Sequence, residues 1–140
     1  MQLGELKFSV LLFGLLQTLR VMARRHPAYA KRLAERNLTA QIRTADNKVA
    51  RHFTFRDGRV TSGRGIHPSA DITVTVQNAD LGVKLFSLHV DHLERIEAIK
   101  NFQLQAEGPD ELMVWFMQTL GMIFTLGREY GTDLGDGVRR

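Results

Sequence analysis

Residues 89–94 (HVDHLE) hold four possible metal ligands within six positions. His89 and His92 are three residues apart, so on one helix both imidazoles could reach a single metal ion. Asp91 lies between them and is a typical helix N-cap, which would place the two imidazoles on either side of a helix boundary. We therefore expect no bound metal and no cofactor. A metal-dependent enzyme using His89 and His92 stays as the weakest functional hypothesis.

Other catalytic patterns are missing from the sequence. The segment 63–65 (GRG) has no Gly-Lys-Ser/Thr element after it and does not lead from a strand into a helix, so it is not a phosphate-binding loop. The chain contains no Cys and no Gly-x-Ser-x-Gly nucleophile elbow. The carboxylate pairs Glu94/Glu97 and Asp110/Glu111 fit solvated helix faces. The sequence predicts a protein that is not an enzyme.

The positive charge is confined to the N-terminal quarter of the chain. Residues 1–36 contain seven Lys/Arg and two Asp/Glu, whereas residues 37–140 contain twelve and thirteen. A nucleic-acid-binding domain would spread its basic residues over the folded face, so we expect no nucleic-acid partner. The basic cluster could be an ordinary solvated face or could contact an anionic membrane surface. Its members are Arg20, Arg24, Arg25, Lys31, Arg32 and Arg36.

The first 36 residues are predicted to form two helices, 3–25 and 27–36, separated at His26-Pro27. The apolar run 8–16 is shorter than the roughly 20 residues that span a bilayer, and its flanks do not suit a signal peptide. The cytoplasm is therefore the default location, with peripheral membrane contact as an option. The first helix could pack on the body, on a partner or on a membrane. Since the sheet begins at Leu38, we expect the domain to fold without residues 1–25.

From residue 37 the hydrophobic period changes from 3.6 to 2, which predicts strands. Strands are expected at 38–42, around 49–55, at 59–62, at 71–77 and at 102–106, with Asp57-Gly58 as a hairpin turn. In the last strand Phe102, Leu104 and Ala106 should face the core. Helices are expected from Asn78 to Leu88, from Asp91, and over 110–126.

This order predicts an α+β fold, in which helices cover one face of a five-stranded, mostly antiparallel sheet. The connection between strands four and five is long enough for a parallel pair. We divide the chain into an N-terminal helical extension (1–36), a domain (37–126) and a flexible tail (127–140).

The last helix has no polar face. Between residues 112 and 126, eleven of fifteen residues are apolar and none is charged. A surface helix normally has a charged side, so this one should be covered by a partner subunit, a bound lipid or a membrane, unless it is an ordinary core helix. Met113 and Met117 share a face, and methionine suits surfaces that accept ligands of variable shape.

Residues 37–124 resemble the sterol carrier protein 2 (SCP2) family. The resemblance rests on the aromatic strand and turn 53–60 (FTFRDGRV), on 70–76 (ADITVTV), and on the helix opening 78–81 (NADL). A short alternating strand closed by Gly108 and followed by an apolar helix completes the ordered set. The resemblance implies an apolar tunnel between sheet and helices and no catalysis. The residues that would line this tunnel are Leu81, Leu85, Phe86, Leu88, Met113, Trp115, Phe116, Met117, Leu120, Ile123 and Phe124.

The function predicted from these observations is the non-catalytic binding of a lipid or another apolar ligand, such as a fatty acyl, sterol-like or isoprenoid molecule. The alternative is an accessory protein whose apolar helices form a homodimer or bind an enzyme of lipid or quinone metabolism.

Overall fold

The computed structural model describes residues 2–86, 101 and 103–129, with backbone only from 124 to 129. Five strands form one sheet in the order β3-β2-β1-β4-β5. Within the described residues, four helices accompany the sheet. In chain order, the helices and strands are α1 Leu3–Arg25, α2 Pro27–Leu33, β1 Leu38–Thr44, β2 Ala50–Arg56, β3 Arg59–Arg64, β4 Ile72–Val76, α3 Ala79–Phe86, β5 Leu104–Glu107 and α4 Asp110–Glu129.

The predicted α+β architecture is confirmed, and local sequence signals account for its turns and caps. Asp57 and Gly58 both have positive φ (54° and 83°), as a two-residue hairpin turn with the twist of the flanking strands requires. The Asn78 side chain accepts a hydrogen bond from the Leu81 amide at 2.8 Å and so caps α3. Helix α1 ends one residue before His26, and Pro27 occupies the first turn of α2.

The predicted pairing of strands four and five is wrong. β4 and β5 are antiparallel, with Val76 opposite Leu104, and the parallel pair is β1 with β4. The sheet is therefore mixed, with three antiparallel pairs and one parallel pair. The alternation of apolar residues along a strand predicts which face is buried, but it does not predict the direction of the neighbouring strand. The long connection between β4 and β5 is compatible with either direction.

The prediction for the inner face of β5 holds in part. Leu104 is buried, but Ala106 is exposed although it lies on the same face, opposite Val74. β5 is an edge strand, so it has a neighbouring strand on one side only. Phe102 lies outside the described residues.

Helix α1 packs on the body of the protein. Its buried face consists of residues that repeat every three or four positions and belong to the core that covers the sheet: Phe8, Leu12, Leu16, Leu19 and Met22. The helix crosses the sheet from α3, where Phe8 touches Gly82, to β3, where Arg20 reaches Val60. The expectation that the domain would fold without residues 1–25 does not fit this packing.

The C-terminal helix is longer than predicted, because α4 continues to Glu129. It begins after Gly108, whose φ of 139° and close approach to the Asp71 carbonyl leave no room for a side chain. The remainder of the predicted tail, from residue 130 onward, lies outside the described residues.

Candidate functional site

Two flanks of α4 differ in what they contact. Trp115 is almost fully buried and lies on the flank that meets α2 and the sheet. Its indole Nε1 donates to Glu35 Oε1 at 3.1 Å, the Arg32 guanidinium lies 5.3 Å from its ring centroid, and its ring meets Phe55 edge-on at 5.5 Å. At 100° per residue, Met113 and Met117 lie on the opposite flank and are half-buried.

The α2 side of α4 is held by hydrogen bonds around Thr119. The Tyr29 hydroxyl donates to the Thr119 carbonyl at 2.9 Å, and Arg32 Nε donates to Thr119 Oγ1 at 3.0 Å. The Arg32 Nη2 also donates to the Trp115 carbonyl and to Gln118 Oε1, both at 3.2 Å. Burial raises the pKa of Tyr29, so its phenol stays neutral and remains a donor. This cluster was not predicted from the sequence, although Tyr29 and Arg32 have the i, i+3 spacing of residues on one helix face.

Helix α3 contributes one core residue and two accessible ones to the predicted ligand set. Leu85 is buried, whereas Leu81 and Phe86 are half-buried. The Phe86 ring lies 6.0 Å from the Phe8 ring of α1. Helix α1 contacts both α3 and α4, so these three helices together form the apolar layer over the sheet.

The predicted ligand-binding residues therefore fall into three groups. Five are core residues: Leu85, Trp115, Phe116, Leu120 and Ile123. Four are half-buried and keep accessible apolar surface: Leu81, Phe86, Met113 and Met117. Leu88 lies outside the described residues, and so does the side chain of Phe124. Which of them contact a ligand stays a prediction.

The six basic residues predicted to face a membrane are not equivalent. Arg32 has only 20% of its side chain exposed, and its hydrogen bonds to Thr119 and Trp115 fasten α2 to α4. Arg36 follows the end of α2, and its Nη2 pairs with Glu111 Oε1 of α4 at 2.6 Å. Both line a cleft of about 460 Å³ that also contains Glu35, Asp110 and Glu111. Arg24, Arg25 and Lys31 are exposed. Arg20 and Arg24 line a second cleft of about 340 Å³ together with Arg59, which was predicted only as the first residue of the third strand.

A further apolar surface lies on the outer side of α1. Leu3, Leu6, Val10 and Phe13 are spaced by three, four and three residues and are 66%, 51%, 61% and 49% exposed. Within the described part of the chain, α1 is the one helix long and apolar enough to cross a membrane by length and composition. Five of its side chains are nevertheless buried against the body of the protein.

The predicted absence of a metal site is not tested at its most important position, because His89 and His92 lie outside the described residues. Elsewhere, over residues 2–86 and 103–123, no group of three or more His, Asp or Glu side chains could hold a metal ion.

Comparison with known proteins rests on structure. No family model matches the sequence, and no curated protein matches it significantly. A solved "UbiJ-SCP2 Ubiquinone synthesis protein" superposes with a TM-score of 0.55 at 18% identity, over 79% of this chain and 88% of that one. The crystal structure of sterol carrier protein 2 gives 0.53 at 16% identity, over 83% and 95% of the two chains. The chain has an SCP2-like fold.

A further SCP2-like match is a conserved hypothetical protein of Thermus thermophilus, with a TM-score of 0.52 at 14% identity, covering 83% of this chain and 85% of that chain. The sec-alkylsulfatase Pisa1 from Pseudomonas sp. also matches, with a TM-score of 0.46 at 23% identity. That match covers 69% of this chain but only 14% of the sulfatase, so it carries no argument about chemistry.

Proposed function

We propose that this protein binds and carries a lipid or another apolar molecule without catalysing a reaction on it. The main support is the position of the apolar side chains that are only partly buried. Within the described residues, the apolar side chains that are only partly buried against the core all lie on helices α1, α3 and α4, and none lies on the sheet. The helix layer is thus the part of the core that can still cover additional apolar surface.

The chemistry of these side chains suits a hydrocarbon ligand of variable shape. Met113, Met117 and Met122 are partly buried on α4, and thioether side chains adapt to irregular apolar surfaces. Each methylene that leaves water contributes about 0.8 kcal/mol, so an acyl or isoprenoid chain would bind mainly by burial. Hydrocarbon and thioether groups transfer no proton, which supports a carrier rather than an enzyme. The SCP2-like fold supports the same proposal.

The test compares two glutamates on the same helix. We expect the full chain to bind a fluorescent polyene fatty acid saturably and to retain an apolar ligand in native mass spectrometry. Met117→Glu should abolish both signals, because a carboxylate in an apolar site is costly unless it is protonated. Val114→Glu is the matched control, since Val114 is 54% exposed, and it should bind as the wild type does. Circular dichroism checks that both variants fold.

Two results would contradict the proposal: the absence of a saturable response in the wild-type chain, or equal binding by both folded variants. If Met117→Glu does not fold, Met117→Gln, which adds polarity without charge, gives the same comparison. Trp115 is a poor reporter for this experiment, because its indole is engaged by Glu35 and Arg32.

The exposed stripe on α1 supports a second candidate, an accessory protein that binds a helix of a partner or of a second copy. Leu3, Leu6, Val10 and Phe13 have the spacing of a helix–helix seam. Light scattering after size-exclusion chromatography tests the homodimer. Leu6→Glu/Val10→Glu should convert a dimer into a monomer. Lys7→Glu on the same helix should not, because Lys7 is exposed but lies to one side of the stripe. A wild-type chain that is monomeric at all concentrations would exclude the homodimer.

A further inference from the structure

A cleft of about 340 Å³ lies where the last turns of α1 pass the edge strand β3. Arg20 and Arg24 are one helical turn apart on α1, and Arg59 begins β3 directly after the hairpin turn. The rest of the lining is small or apolar: Ala23, Leu33, Gly58, Val60 and Thr61. Three guanidinium side chains thus share one cleft with an apolar wall.

One hydrogen bond and one tight turn position these arginines. Arg20 Nε donates to the Val60 carbonyl at 3.2 Å, which ties the α1 side of the cleft to the edge strand. On the other side, the positive φ of Asp57 and Gly58 closes a tight turn, which brings Arg59 back to the start of β3. The cleft is therefore held by secondary structure on both sides rather than by a loop.

Among the residues that the structure describes, no carboxylate balances the charge of this cleft. The cleft between α2 and α4 also contains two arginines, but there Arg36 pairs with Glu111 and Arg32 with Glu35. The described lining of the cleft at β3 contains no Asp or Glu. Throughout the described part of the chain, neither Arg24 nor Arg59 has an ion-pair partner. Three neighbouring cations repel one another, and a bound anion would remove that repulsion.

We propose that this cleft binds the phosphate group of an amphipathic molecule. Guanidinium groups bind phosphate oxygens bidentately, and they do so more specifically than lysine ammonium groups. The apolar wall formed by Ala23, Leu33 and Val60 would contact the organic part of the same molecule, since the cleft is larger than a phosphate ion. The phosphate could belong to a membrane lipid headgroup or to a soluble phosphate ester.

The cleft is separate from the site proposed above for the apolar ligand. Along α1, Phe8 packs at α3 and Arg20 reaches β3, and the difference of twelve positions between them corresponds to about 18 Å of helix. The proposal therefore does not depend on the lipid-carrier function. A variant that removes the cleft's charge should leave fatty-acid binding unchanged.

The experiment uses the full chain and two double variants of equal net charge. Arg24→Gln/Arg59→Gln removes two cations of the cleft, and Lys7→Gln/Lys31→Gln removes two exposed cations that do not line it. Inorganic phosphate is titrated at low salt and followed by NMR chemical shifts. Sedimentation is measured with vesicles of phosphatidylcholine alone and of phosphatidylcholine with phosphatidic acid.

We expect the arginine variant to bind inorganic phosphate at least about tenfold more weakly and the lysine variant to change its affinity less than about twofold. If sedimentation with phosphatidic acid vesicles is lost in the arginine variant alone, the bound group is a lipid headgroup. If phosphate binding is lost while sedimentation is unchanged or absent throughout, the ligand is a soluble phosphate ester. The proposal is overturned if phosphate does not saturate with the wild type, or if both variants lose affinity equally.

Discussion

Arg32 shows how a charged residue can belong to the interior contacts of a small protein. From the sequence it was one of six surface cations, yet its guanidinium donates to Thr119, Trp115 and Gln118 and lies over the Trp115 ring. Arg36, four residues later, makes one ion pair with Glu111, whose side chain is 70% exposed. The two residues have the same chemistry and neighbouring positions, but burial separates their roles.

We expect Arg32→Ala to lower the free energy of unfolding by about 2–3 kcal/mol, because it removes several charge-assisted hydrogen bonds and a cation–π contact. Arg36→Ala should cost less than about 1 kcal/mol, as exposed ion pairs do. Arg32→Lys should recover only part of the loss, since an ammonium cannot make the forked contacts. Urea denaturation measures all three. Equal costs for positions 32 and 36 would contradict the fastening role of Arg32.

At the level of elements, the contact between α1 and α3 depends on a missing side chain. A Cβ on Gly82 would lie 2.6 Å from the Phe8 ring, whereas a Cβ on Gly14 would meet nothing within 4 Å. Both glycines are inside helices, so alanine gains the same intrinsic helix propensity, about 1 kcal/mol, at either position. Any difference between the two substitutions therefore reports the helix–helix contact.

We expect Gly14→Ala to raise the urea midpoint and Gly82→Ala to lower it. Gly82→Ala should reduce the free energy of unfolding by about 1–3 kcal/mol, because the buried Phe8 ring cannot move away freely from the added methyl group. In a Phe8→Leu background the cost of Gly82→Ala should fall, since the ring atoms are gone and the two sites are coupled. If Gly82→Ala is as stabilising as Gly14→Ala, the close packing of α1 on α3 is refuted.

The elements themselves were largely predictable, and the reasons are local. Alternation along Ile72–Val76 gives a strand with three buried residues, and the Asp57-Gly58 pair gives the hairpin. The direction in which β5 pairs with β4 was not predictable, because a long connection allows both. The sequence predicted the half-buried site residues only as members of a long apolar segment. It did not distinguish them from core residues, because Met113 and Phe116 are both apolar although Phe116 is buried and Met113 is only partly buried.

On the scale of the whole molecule, the sequence predicted that the apolar helices need a cover but could not say what supplies it. The structure answers this question for α1, which covers the sheet with its buried face while Leu3, Leu6, Val10 and Phe13 stay exposed. The division of the chain at residue 36 remains a prediction. The hydrophobic core nevertheless includes residues from both sides of this boundary, because Phe8 and Tyr29 belong to the same buried cluster as residues of the strands.

The last prediction concerns the dependence of folding on α1. Fully burying a large apolar side chain contributes about 1.5–3 kcal/mol, so five such side chains contribute about as much as the entire stability of a typical domain, about 5–15 kcal/mol. A chain that lacks residues 1–25 should therefore show no cooperative unfolding transition in circular dichroism. Truncation also exposes the apolar surface that α1 covers, which favours aggregation, so point variants in the full chain provide the sharper measurement. Leu12→Ala, at a site with no exposed surface, should cost about 2–5 kcal/mol, whereas Val10→Ala, at a site 61% exposed, should change stability by less than about 0.5 kcal/mol. If the truncated chain unfolds cooperatively, or if the Leu12 and Val10 variants are equally stable, α1 is a detachable extension and its packing on the sheet is not what holds the domain together.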